Sequence, residues 1–81
     1  GATGVSPPPG SGPDSGRPVL TERELEVLAG MGEGRSNATI GRSLFLSEDT
    51  VKTHARRLFR KLGAVDRAHA VALGYRWGLV R

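Results

Sequence analysis

The chain has 81 residues, 37% of them hydrophobic, with 12 Lys or Arg against 8 Asp or Glu and no cysteine, which allows one small domain and removes disulfides, thiolate catalysis and Cys-based zinc sites. No apolar run approaches the ~20 residues a bilayer span needs, and the opening Gly, Ala, Ser and Pro residues lack a secretory core; a soluble protein of the reducing cytoplasm without a membrane partner is expected. The formal charge of +4 hides an asymmetry: residues 1–50 carry four basic and seven acidic side chains, −3 in all, and residues 51–81 carry eight basic and one acidic, +7.

Twelve of the first sixteen residues are Gly, Pro or Ser. Such a segment cannot bury enough apolar surface to offset its own ordering entropy, so residues 1–18 read as a disordered linker before a folded domain over 19–81. A linker at the start implies a preceding domain, and the chain is expected to be the C-terminal part of a longer protein.

At LTEREL the pattern changes. Thr21 is a helix N-cap, Glu24 completes a capping box, and Leu20 and Leu25 take the staple positions around it. Leu25, Leu28 and Ala29 are expected to face inward, with Gly30, Gly32 and Gly34 ending a first helix over about 22–31. Ser36 caps a short second helix over about 37–44, with Ile40 and Leu44 inward. Gly41 costs that helix up to about 1 kcal/mol relative to Ala, so close approach of a neighbouring helix is expected there.

Ser47 caps a third helix over about 48–62, with Glu48 and Asp49 at its favourable N-terminal end. Val51, Ala55, Leu58, Phe59 and Leu62 form one apolar stripe, Gly63 is a left-handed stop, and Lys52, Thr53, Arg56, Arg57, Arg60 and Lys61 fill the remaining circumference. Asp66 caps a fourth helix over about 67–77, closed by Gly78. One side of it carries Ala70, Val71, Leu73, Gly74 and Trp77 and reads as core; Ala68, Ala72 and Tyr75 on the other fit either a two-fold contact or an Ala-rich wetted face. Four helices with short connections and no strand pattern give an all-α domain, a four-helix bundle.

The short second helix, the tight turn at 45–47 and the basic third helix have the proportions of a helix-turn-helix. In that geometry the second helix of the motif enters the major groove of double-stranded DNA, leading residues at base edges and flanking cations at phosphates. A basic face is also what a merely solvated helix presents, or a docking surface for an acidic protein such as RNA polymerase or a regulatory domain. Thr53 and His54, compact polar groups among the cations near the helix start, favour DNA. RNA fits less well, because an A-form major groove is too narrow for the helix.

LTERELEVL, the GRSN entry to the second helix, LFLSEDTVKTHARRLFRKLGA and DRAHAVALGYRWGLV together resemble, in order and spacing over about residues 19–80, the DNA-binding domain of LuxR/FixJ/NarL-type (GerE-like) bacterial transcriptional regulators. The resemblance implies a helix-turn-helix over about Asn37 to Arg56, with Lys52, Thr53 and Arg56 directed at base edges. Thr50, His54, Arg57 and Arg60 would meet phosphates, with Ser36, Asn37 and Ser47 clamping backbone or capping helices; His54 also reads as a structural boundary residue. It further implies a homodimer through the fourth helix, at Ala68, His69 and Ala72, on an inverted repeat, and control by an upstream receiver or ligand-sensing domain, as in a response regulator. The family commonly places Lys-Glu after the Asn of the second helix and Ala two residues beyond. Ala38, Thr39 and Gly41 stand there instead, so half a capping box and one phosphate contact are expected to be lost. No cofactor, metal site or catalysis is expected: His54 and His69 have no Cys partner, and the glycines at 30, 32 and 34 do not have phosphate-loop spacing.

Overall fold

The computed structural model describes residues 17–80, and the linker expected over 1–18 lies outside them apart from Arg17 and Pro18. Among the described residues there are four helices and no strand: α1 (Glu22–Gly32), α2 (Asn37–Leu44), α3 (Glu48–Leu62) and α4 (Arg67–Arg76). Each begins at a side chain that accepts a backbone N–H left unpaired by the helix itself: Thr21 from Glu24, Ser36 from Thr39, Ser47 from Thr50 and Asp66 from His69.

The capping box at α1 is complete, with Glu24 N–H donating to Thr21 Oγ1 at 3.1 Å and Thr21 N–H to Glu24 Oε1 at 2.8 Å. At α2 the reciprocal half is absent. Thr39 is too short to reach back to the cap's N–H, and its hydroxyl instead accepts from Ser36 Oγ and from the Arg42 guanidinium.

The buried stripe of α1 is Glu24, Val27, Leu28 and Met31, whereas Ala29 is exposed and Leu25 only half-buried. The expected inward face was therefore turned by about one residue. A buried acid carries the stripe, and an apolar-only pattern does not register it. Gly30 does not end the helix either: it lies inside α1, and a Cβ there would come within 2.7 Å of Ile40 Cγ1 on α2.

Val27, Leu28, Met31, Ile40, Val51, Ala55, Leu58, Leu62, Ala70 and Val80 form one core. α1 and α3 each pack against all the other helices, and α2 and α4 do not meet. Leu28, Ile40, Val51 and Leu58 are essentially inaccessible, each worth roughly 2 kcal/mol of burial. That sum far exceeds the few tenths per residue that helix propensity contributes, so burial of Val51, Ala55, Leu58 and Leu62 sets which side of α3 faces out.

The turn between α2 and α3 is tight. Phe45 is left-handed (φ 60°, ψ 39°) and Leu46 N–H donates to Gly41 O at 2.8 Å. A Cβ on residue 41 would sit 2.5 Å from Leu46 O; the close approach expected at Gly41 comes from the turn's own backbone as it enters α3. Gly63 ends α3 in the left-handed conformation.

Candidate nucleic-acid interface

Lys52, Thr53, Arg56, Arg57 and Arg60 are all exposed along α3, opposite its four buried residues. At ~100° per residue they share one outward side. Lys52 Nζ lies 3.9 Å from Glu48 Oε2, with both side chains about half exposed. A pair so long and wet is worth at most a few tenths of a kcal/mol, so the ammonium stays available. No carboxylate of the described residues pairs with Arg56, Arg57 or Arg60.

The hydroxyls are more engaged. Thr53 Oγ1 donates to Asp49 O at 3.1 Å, which leaves its lone pairs and methyl, but not its proton, to face a ligand. Thr50 Oγ1 and Ser47 Oγ are hydrogen-bonded to each other at 2.8 Å, and Ser47 Oγ also accepts the Thr50 N–H. Both therefore stiffen the first turn of α3, and Ser36 has the same duty at α2. His54 is half-buried at the edge of the basic side. Asn37 is half-buried, and its Oδ1 is sealed from solvent without a donor.

Lys61 does not join the exposed cations in purpose. Its Nζ donates to Glu24 Oε1 at 2.7 Å, where Glu24 is only 2% exposed. Burial pushes the Glu24 carboxyl up, but the hydrogen bonds from Lys61 and Thr21 and the nearby ammonium outweigh it and hold the group below its ordinary range. This tie between α1 and α3 links residues 37 apart in sequence, and neither helix's periodicity announces it.

A cavity of about 280 Å³ opens beside the basic side of α3. Met31 and Phe59 give it apolar lining, Asn37 contributes an amide, and Lys52, Arg56 and Arg67 supply three cations. Arg67, the first residue of α4, donates through Nη2 to the carbonyl of Arg35 in the α1–α2 connection. Nothing in the sequence singles it out, because a lone Arg after a cap residue carries no local sign of what it will meet.

On α4, Ala68 and Ala72 are exposed, beside Tyr75 and, just before the helix, Val65. His69 is half-buried: its N–H donates to Asp66 Oδ1 at 2.8 Å, and its Nδ1 accepts from Val65 N–H at 3.1 Å. One ring nitrogen is thus engaged in forming the start of α4. Among the described residues no three His, Asp or Glu side chains converge as a metal site would require, and no helix is long and apolar enough to cross a membrane.

The family model of bacterial regulatory proteins, luxR family, matches residues 18–73. YxjL of Bacillus subtilis, an uncharacterized transcriptional regulatory protein, is 49% identical over 62 residues, 76% of this chain and 28% of that protein. The probable transcriptional regulatory protein NarL of Mycobacterium tuberculosis is 48% identical over 63 residues, 78% of this chain and 29% of that one. The crystal structure of the response regulator ChrA of a heme-sensing two-component system superposes with a TM-score of 0.73 at 38% identity, over 78% of this chain and 31% of that one. The chain thus spans less than a third of the length of these relatives. With the helix order and the matched segment together, the chain belongs to the luxR family of bacterial regulatory proteins.

Proposed function

We propose that this chain binds double-stranded DNA sequence-specifically as the output domain of a bacterial transcriptional regulator. α2 and α3 act as the helix-turn-helix, and α3 lies in the major groove. Lys52 and Arg56 donate to guanine O6 and N7. Thr53, with its proton engaged at Asp49 O, offers its methyl to thymine or a lone pair to an amino group. Arg57, Arg60 and His54 meet phosphates, Thr50 and Ser47 hold the first turn that presents them, and Ser36 and Asn37 bring the start of α2 to the backbone. Phosphate contacts of this kind fix register without reading sequence.

One observation carries the reading. Burial of Val51, Ala55, Leu58 and Leu62 leaves Lys52 and Arg56 on the open side of a 15-residue helix, with no strong internal partner. Two copies would pair through the exposed Ala68 and Ala72, with His69 beside them, and read half-sites about one duplex turn (~34 Å) or less apart. An upstream receiver or ligand-sensing domain would control that pairing. No catalytic step is assigned.

Selection of bound sequences from a random duplex pool tests this directly. The expected product is an inverted repeat with a fixed spacing. Recovery of random sequence would refute specific reading, and recovery of a single half-site would refute the dimer.

A further inference from the structure

We propose that the cavity between Asn37 and Arg67 is a subsite for one phosphate and its deoxyribose in the DNA backbone, with Arg67 as a contact residue on α4 and with Lys52 and Arg56 at its rim left to reach the bases. The inference rests on the DNA-binding reading above and adds an element, α4, that a helix-turn-helix does not itself use.

The chemistry of the lining fits that unit. Three cations border one opening, and no carboxylate of the described residues pairs with Arg56 or Arg67. Arg67 gives Nη2 to the Arg35 carbonyl, and a guanidinium has five N–H donors, so others are left for a phosphate oxygen. That contact puts the head group beside the connection that leads straight into Ser36 and Asn37. Because Asn37 Oδ1 is sealed inside, what the amide offers outward is its Nδ2 donor, the polarity a phosphate requires. Met31 and Phe59 supply the apolar surface on which a sugar's C–H face can rest. α2 and α4 do not touch each other, so a phosphate held by Asn37 and Arg67 would be clamped between elements that only α1 and α3 otherwise connect.

The test uses the whole chain, a duplex recovered by selection, and the variants Arg67→Gln and Arg67→Lys, with thermal melts to establish that each is folded. Arg67→Gln should weaken binding about tenfold, the loss of one charge-assisted hydrogen bond. It should also lower the slope of log affinity against log salt by about 1 while leaving the selected sequence unchanged. Arg67→Lys should restore most of the slope. Duplexes carrying a single uncharged methylphosphonate, placed in turn at each position, should include one that weakens the parent but not Arg67→Gln. If the salt slope of Arg67→Gln equals the parent's and every methylphosphonate affects both alike, Arg67 only braces the connection and the subsite is refuted. A parent chain that binds no duplex at all overturns the DNA-binding reading itself, and this proposal with it.

Discussion

Replacing Lys61 by Met removes the ammonium that lies 2.7 Å from Glu24 Oε1 and leaves a carboxylate that is 2% exposed with the Thr21 N–H, 2.8 Å away, as its remaining donor. Taking one partner from a fully buried pair costs about 3–5 kcal/mol. Here the Lys61 side chain is 39% exposed, so water reaches its end of the pair and the expected cost falls to roughly 1.5–3 kcal/mol. Glu24→Gln keeps an oxygen for Thr21 N–H, and the freed ammonium can turn into solvent, which gives about 1–1.5 kcal/mol. Because both variants break one contact, the double variant should cost less than the sum by about 1 kcal/mol or more.

Urea denaturation at pH 7 gives all four corners of that cycle, and acid titration gives the sign. The folded carboxyl of Glu24 titrates below the ordinary value it has in the unfolded chain, so the unfolded chain binds more protons as the pH falls through that ordinary value. The stabilisation is present above it and is lost on acidification through the folded value. In Lys61→Met this acid loss should shrink, since the cation that depresses the carboxyl is gone. A Lys61→Met chain within 0.5 kcal/mol of the parent (roughly the scatter expected of a neutral surface change), or one with the parent's acid profile, would show that the pair does not hold α1 to α3.

Two further outcomes follow from the caps and from α4. Ser47→Ala should lower stability by about 1 kcal/mol, since Ser47 accepts the Thr50 N–H at 3.1 Å; an unchanged thermal midpoint would mean that the first turn of α3 holds without it. Ala72→Arg places a charge on the exposed side of α4 and should leave the monomer's melting curve within the scatter of surface changes, while cooperative binding to an inverted repeat disappears. Retained cooperativity, measured by gel shift on one and two half-sites, would exclude that face.

The elements were legible because their boundaries are written in short-range chemistry. Thr21, Ser36, Ser47 and Asp66 each precede their helix by one residue and cap it as expected, and the strongly two-sided α3 could be oriented from its apolar spacing alone. α4, expected to reach 77, ends at Arg76, within the usual fraying of a helix end. α1 was harder. Apolar residues occur around much of it, and the decisive inward group is Glu24, whose burial makes sense only once Lys61 has been brought to it from another helix. Lys61 was accordingly placed among the cations of the basic side, where spacing puts it and pairing does not. Arg67 and the cavity escaped for the same reason: they depend on the α1–α2 connection, α3 and α4 meeting in space, and no window along the chain contains all three. Close approach at Gly41 is legible from the glycine itself, and Val51 of α3 does lie against it, but the nearest atom is the carbonyl of Leu46 in the turn, which helix spacing does not announce.

The most direct measurement of whether α3 reads bases compares the parent with Lys52→Ala and Arg56→Ala on a selected duplex and on the same duplex with one base pair changed. Each variant should lose about 1–3 kcal/mol on the selected duplex and, at the base pair its side chain contacts, no longer distinguish the changed duplex from the original. Variants that lose affinity equally for both duplexes while keeping the parent's discrimination at every position would contradict base reading by α3, because Lys52 and Arg56 would then be touching only phosphate.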